Sequence, residues 1–182
     1  MKTRIAALIA LTTIAMAAVA LSQSYKSTRS VAVELGMKKA PVQPIAYSHE
    51  LHAGQLQMDC KYCHYSTTKS KWANIPAVST CMGCHAFVAT DKPEIQKLAG
   101  FFERGEQVPW VKVHEMPDHV KFNHKRHVLA GVECQTCHGP IETMPVVYQY
   151  SSLKMGWCID CHRSNLDHPT HPTSMDCLIC HH

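Results

Sequence analysis

Apolar and polar positions divide the chain into stretches of different character. Ile5 to Leu21 is predominantly apolar and carries no charge, with Lys2 and Arg4 just ahead of it. Such a run reads as a Sec-type export signal or a short membrane anchor. As a helix it would reach about 25 Å, slightly less than a ~30 Å hydrocarbon core, and Ala18-Val-Ala20 offers a cleavage site. Both readings keep Lys2 and Arg4 inside and place residues 22 onward outside the cytoplasmic membrane. Residues 22–44 are polar and mixed, with Lys26, Arg29, Lys38, Lys39, Pro41 and Pro44, the composition of a tether. In Asp91 to Arg104, Pro93 suits a first helical position and Ile95, Leu98 and Phe102 recur on one face, predicting a helix that Gly105 stops. Val111 and Val113 alternate with polar neighbours and predict a short extended piece. Asn165 to Asp176, containing His168-Pro and His171-Pro, predicts an extended loop.

Between these stretches the periodicity is broken by cysteine and histidine. C-x-x-C-H occurs five times, as Cys60/Cys63/His64, Cys81/Cys84/His85, Cys134/Cys137/His138, Cys158/Cys161/His162 and Cys177/Cys180/His181, and uses all 10 cysteines. H-x-x-H occurs twice, as His49/His52 and His124/His127, each just upstream of a C-x-x-C-H. An internal repeat results: 45–85 and 122–162 each carry one H-x-x-H and two C-x-x-C-H units, and a fifth unit at 177–181 follows alone.

C-x-x-C-H is the attachment signature of a c-type haem, with two thioethers to the porphyrin and the adjacent histidine on iron. The rival reading is zinc, since the gaps Cys63 to Cys81, Cys137 to Cys158 and Cys161 to Cys177 fit a C-x2-C-x15-20-C-x2-C ribbon. Four thiolates already close a zinc tetrahedron, so a ribbon gives no reason for a histidine after every pair. Five covalently bound haem c groups are therefore expected. Their proximal ligands are His64, His85, His138, His162 and His181. His49, His52, His124 and His127 are distal candidates, the spacing of each pair suiting two different haems on either side of one helical turn. The fifth distal ligand is His114 or Met155; a methionine would raise that haem's potential relative to bis-histidine ligation. His119, His168, His171 and Met144 are weaker donors, and His182 lies at the terminus. An iron left five-coordinate would instead be a reaction site.

Composition then fixes the architecture. Aromatic residues are 7% of the chain, and residues 41–182 leave roughly 28 residues per haem, too few for a separate apolar core around each. The expected fold class is a multihaem cytochrome c, haem-cored, with short α-helices, long loops and little strand, following an N-terminal hydrophobic helix: 1–21 signal or anchor, 22–44 tether, 45–182 haem domain. The formal charge of +4 falls to roughly −1 once five ferric haems with their propionates are included. No basic cluster is interleaved with aromatics, so nucleic acid is not an expected partner.

Several stretches, in order and spacing, resemble one family: Pro44-Ile-Ala-Tyr-Ser-His-Glu-Leu-His-Ala-Gly, Cys60-Lys-Tyr-Cys-His-Tyr, Trp110-Val-Lys-Val-His-Glu-Met-Pro-Asp, Phe122-Asn-His-x-x-His and Met155-Gly-Trp-Cys-Ile-Asp-Cys-His-Arg. They resemble the pentahaem cytochrome c subunit of alternative complex III over about residues 41–163, and more distantly the class III multihaem cytochromes. The short N-terminal run and the brief segment from Arg163 to Cys177 depart from that pattern. The resemblance implies a periplasm-facing electron-transfer subunit rather than an enzyme, located at the cytoplasmic membrane or exported to the periplasm. Its partners would be iron–sulfur and quinol-binding subunits on one side and a cytochrome c or terminal oxidase on the other. A free periplasmic electron shuttle and a multihaem reductase with an open haem site are the competing readings.

Overall fold

The computed structural model describes residues 40–181. The N-terminal hydrophobic helix and most of the expected tether lie outside the described residues. Among the described residues no helix is long and apolar enough to cross a membrane.

Short helices separated by loops make up the domain. They are α1 (Cys60–Cys63), α2 (Val78–His85), α3 (Pro93–Glu103), α4 (His124–Leu129), α5 (Cys134–His138) and α6 (Met155–Ser164). Single turns at Glu50–Gln55, Tyr65–Thr68, Ile141–Thr143 and Cys177–Ile179 join them. No strand forms among the described residues. Val111, expected in an extended piece, pairs instead with a side chain: its N–H donates to Gln43 Oε1 at 2.9 Å and its carbonyl accepts from Gln43 Nε2 at 2.8 Å.

The helix expected around 91–104 forms with Pro93 in its first turn. It closes as a Schellman motif, in which Gly105 N–H donates to Phe102 O and Glu106 N–H to Phe101 O. Gly105 takes φ +66°, a conformation glycine adopts without steric cost. Leu98 is buried, but Phe102 is 49% exposed and Phe101 packs inward in its place. Helix α3 also holds the segment leading to the first H-x-x-H: Glu94 Oε2 accepts Ala46 N–H at 2.8 Å and Lys97 Nζ donates to Pro44 O.

The polypeptide core is small. Ile45, Val78, Leu98 and Val108 form its buried cluster, with Cys81, Met82, Phe101 and Trp110 packed against it. Apolar side chains near the C-x-x-C-H units stay at the surface, among them Tyr62, Trp72, Phe87 at 87% exposure and Leu178. Proteins seldom leave large apolar surface uncovered without a function for it. These side chains offer walls to flat apolar groups seated beside the cysteines.

Candidate functional site

Each C-x-x-C-H unit occupies a helix or a tight turn. One helical turn brings residues i, i+3 and i+4 together, so both sulfurs and the imidazole share one side. Local sequence starts these turns: Asp59 Oδ1 accepts Lys61 N–H at 2.6 Å before α1, and Asp176 Oδ1 accepts Leu178 N–H at 2.9 Å at the fifth unit. None of the ten cysteines is joined in a disulfide. Burial pushes the thiols of Cys60, Cys63, Cys81, Cys137 and Cys158 above the usual cysteine range.

The polypeptide covers the ten cysteines unequally. Cys60, Cys63, Cys81, Cys134, Cys137, Cys158 and Cys180 are partly buried, but Cys84, Cys161 and Cys177 are exposed. Cys84 shows the physical reason. Helix α2 turns Val78 and Cys81 onto the apolar cluster beside α3, and Cys84 sits in its last turn, past the end of that contact. There its carbonyl accepts the N–H groups of Phe87 and Val88, both at 3.0 Å, and the chain turns out through these two exposed residues. The polypeptide therefore covers Cys81 and leaves Cys84 open. Cys161 is likewise in the second half of α6, and Cys177 opens the single turn of the last unit.

The two H-x-x-H copies are built alike. In the first, the Tyr47 ring stacks on His52 at 4.4 Å between centroids and meets His49 edge-on at 4.8 Å. In the second, Phe122 stacks on His127 at 4.5 Å and meets His124 edge-on at 4.8 Å. The residue between aromatic and histidine also plays one part twice. Ser48 Oγ accepts Leu51 N–H at 3.1 Å, and Asn123 Oδ1 accepts Arg126 N–H at 3.3 Å. The carbonyls of the same two residues take the Nδ1–H of His52 at 2.8 Å and of His127 at 2.9 Å. The unit is therefore aromatic-polar-His-x-x-His. Tyr47 and Phe122 are functional residues that motif reading leaves out; the signal was an aromatic ring two positions before the first histidine in both copies.

A carbonyl at Nδ1 fixes the proton there and leaves the Nε2 lone pair for a metal. The same arrangement holds His64 through Asn74 O (2.7 Å), His85 through Val88 O (3.0 Å), His162 through Ser174 O (3.0 Å), His181 through His119 O (3.3 Å) and His124 through Lys71 O (3.0 Å). His138 differs, with its Nδ1 against His114 Nε2 at 3.2 Å. His168 has the opposite polarity: its Nδ1 accepts the N–H groups of Thr170 and His171, so its proton belongs on Nε2.

Distances between rings test whether iron porphyrins fit. Two imidazoles sharing one metal at about 2 Å each, through opposed ring nitrogens, hold their centroids roughly 6 Å apart. His52 and His85 stand at 6.1 Å, His127 and His162 at 6.1 Å, and His124 and His138 at 6.4 Å. Among the described residues, no three Cys, His, Asp or Glu side chains gather as a bare metal ion would require. A porphyrin brings four nitrogens of its own and asks the protein for two ligands, which is the number that meets here. The donor set fits c-type haem.

Burial favours the neutral, ligating form of four imidazoles, His49, His114, His124 and His138. His49 is lowered to about 4 by burial and then by the proximity of His64 and His52. His138 is lowered to about 4 by burial and then by His114, His124, His64 and His49. His124 and His114 are lowered too, mainly by burial. His49 Nδ1 is buried with no hydrogen-bond partner. His49, His64, His124 and His138 thus lie near one another in one half-buried region.

The repeats pack reciprocally around that region. The turn Glu50–Gln55 lies against Ile141–Thr143, just after the third C-x-x-C-H, with Glu50 N–H donating to Met144 O at 3.1 Å. Helix α4 lies against Tyr65–Thr68, just after the first, with His124 N–H donating to Lys71 O and Lys125 N–H to Ser70 O, both at 3.2 Å. Cys60 and Cys134, equivalent positions in the two repeats, meet side chain to side chain. Of the remaining candidates, Met155 opens α6 at 63% exposure, Met144 is buried, and His168 and His171 stand in the exposed loop before the fifth unit.

Comparison with known proteins finds similarity to cytochromes c. Residues 120–182 match the family model for cytochrome c7 and related cytochrome c. A multiheme cytochrome c subunit of menaquinone reductase from Nitratidesulfovibrio vulgaris is 28% identical over 160 residues, covering 76% of each chain. A cytochrome c3 from Desulfovibrio desulfuricans is 34% identical over 79 residues, 42% of this chain and 70% of that protein. A high-molecular-weight cytochrome c from Nitratidesulfovibrio vulgaris is 25% identical over 162 residues, 67% of this chain and 29% of that protein.

Proposed function

Because the chain belongs to the class III multihaem cytochromes c, whose haem c is covalently bound, we propose that it is a five-haem electron relay. In this reading it serves as a subunit of a membrane complex that reacts with quinone, on the periplasmic side. The observation that carries the reading is the meeting of imidazoles in pairs about 6 Å apart beside C-x-x-C-H units within one domain. Each haem, when bound, carries one electron at its iron, at a potential set by its axial ligands and surroundings.

The chain's own residues do the rest. Ten sulfurs would fix the five groups, the exposed Cys84, Cys161 and Cys177 included, and His64, His85, His138, His162 and His181 would hold one group each. His52 would hold the second group with His85, and His127 the fourth with His162. His124 would hold the third with His138, and His49 the first with His64. His114 or Met155 completes the set. The carbonyls of Ser48, Asn74, Val88, Asn123 and Ser174 hold the imidazole protons at Nδ1. The donors would then suffice for two per haem, as suits a conduit rather than a reductase.

Two directions of flow are open to such a subunit. The resemblance to alternative complex III favours electrons leaving a quinol towards a cytochrome c or terminal oxidase. The menaquinone reductase relative supports the reverse, towards a quinone. Intact mass of the native protein tests the foundation: five haems add about 3 kDa to the chain. A smaller increment, or bound zinc in a colourless protein, would overturn the reading. With native membranes, haem reduction by a quinol supports the first direction, and menaquinone reduction driven by a reduced soluble cytochrome supports the second. A cytochrome recovered only as a free soluble species, and inert in both assays, would make it a shuttle.

A further inference from the structure

We infer that His114 is a positioning residue for the proximal ligand His138 and not an axial ligand itself, which leaves Met155 as the remaining donor of the proposed set. The inference rests on the haem reading above. His114 Nε2 lies 3.2 Å from His138 Nδ1, with ring centroids 4.4 Å apart and planes 81° apart. In an imidazole, Nδ1 and Nε2 point to nearly opposite sides. A group bonded at Nδ1 therefore lies behind the ring, away from the metal bound at Nε2. His124 stands 6.4 Å from His138 between ring centroids, the separation an intervening iron needs.

The neighbouring sequence behaves the same way. His119 comes within 5.5 Å of His181, but it is the carbonyl of His119 that faces His181 Nδ1. Lys121 N–H donates to Cys180 O at 2.8 Å and fixes this strap in place. Residues 114–119 thus support two proximal histidines from behind. His64, His85, His162 and His181 each rest on a backbone carbonyl, whereas His138 rests on a side chain. That makes its support replaceable by mutation.

An acceptor at Nδ1 raises the basicity of a metal-bound imidazole and favours the oxidised metal. Replacing His114 with Leu should therefore leave five haems by intact mass and every iron low-spin by electron paramagnetic resonance. In a potentiometric titration it should shift one couple of the five upward. His114→Gln, which restores an acceptor oxygen, should return that couple towards the wild-type value while staying low-spin. Glutamine cannot stand in as an axial imidazole. A high-spin iron in fully loaded His114→Gln would therefore show that His114 was the ligand and overturn the inference, even if the Leu variant failed to fold. Five unmoved couples in fully loaded His114→Leu would overturn it as well. Fewer than five haems in the wild-type protein would instead count against the five-haem reading.

Discussion

Phe122 is where the repeated unit can be broken with the least other damage. Its ring stacks on His127 and meets His124 edge-on, at 4.5 and 4.8 Å between centroids. Aromatic contacts of this kind are worth about 0.5–1.5 kcal/mol each beyond burial. Phe122→Ala therefore removes about 0.5–1.5 kcal/mol from the support of each of two imidazoles, a shift of about 2- to 12-fold between held and released for each ring at about 1.4 kcal/mol per decade. Axial release can be read by trapping. Cyanide enters only where a distal histidine has let go, so its uptake rate follows the released population. Phe122→Ala should keep its full haem content and take up cyanide faster at two irons of five, by that factor. Tyr47→Phe should behave as wild type, since phenylalanine does the same work in the second repeat. Uptake within twofold of wild type at full loading would refute the reasoning. Equal acceleration at all five irons would show general loosening and refute it too.

Other substitutions separate ligand, support and core. His124→Ala should leave covalent haem content unchanged and create one high-spin iron, read by electron paramagnetic resonance. Gly54→Ala would drive a methyl group into the carbonyl oxygen of Glu142, at the contact between the first H-x-x-H turn and the loop after the third haem site. Its cost of about 1–3 kcal/mol should appear as a lowered thermal midpoint together with a raised high-spin fraction. Leu98→Ala opens the buried cluster under α3 at a cost of about 2–5 kcal/mol; thermal unfolding should register it while spectra at room temperature remain low-spin.

Chemistry was far more legible in this sequence than packing. C-x-x-C-H announces itself because a thioether pair with its adjacent histidine demands particular residues at fixed spacing, whatever surrounds them, and H-x-x-H stands out by recurring ahead of it. Spacing says nothing of cover, however: Cys81 and Cys84 belong to one motif, yet the chain half-buries the first and exposes the second. Helix α3 was legible for another reason: it is the one long segment in which apolar positions recur at helical period, with proline at its start and glycine after its end. The pairing of Val111 was not, because a side-chain amide from Gln43, 68 residues away, supplies its hydrogen bonds. Nor could spacing reveal the part played by His114. A lone histidine carries no periodicity, and its partner His138 is 24 residues distant.

The reciprocal packing of the repeats accounts for how so small a polypeptide core can hold such a domain. Each H-x-x-H turn is seated on the loop that follows the other repeat's first haem site, so neither repeat completes its own surroundings. Folding one half alone would leave His49 or His124 on an unsupported turn of six residues, too short to persist as a helix in water. Cofactor attachment and docking of the repeats must therefore reinforce one another: attached groups supply the apolar surface the chain lacks, and the docked repeats supply the carbonyls that orient the imidazoles. A fragment limited to 40–90 should bind its two haems covalently yet show high-spin iron beside His64 and His85, because the loop at 141–144 that seats the turn of His49 and His52 is missing. Complementation with 91–182 should return those irons to low spin. A fragment that is already low-spin at both irons would mean that each repeat is self-sufficient, and the reciprocal contacts would then be incidental to ligation.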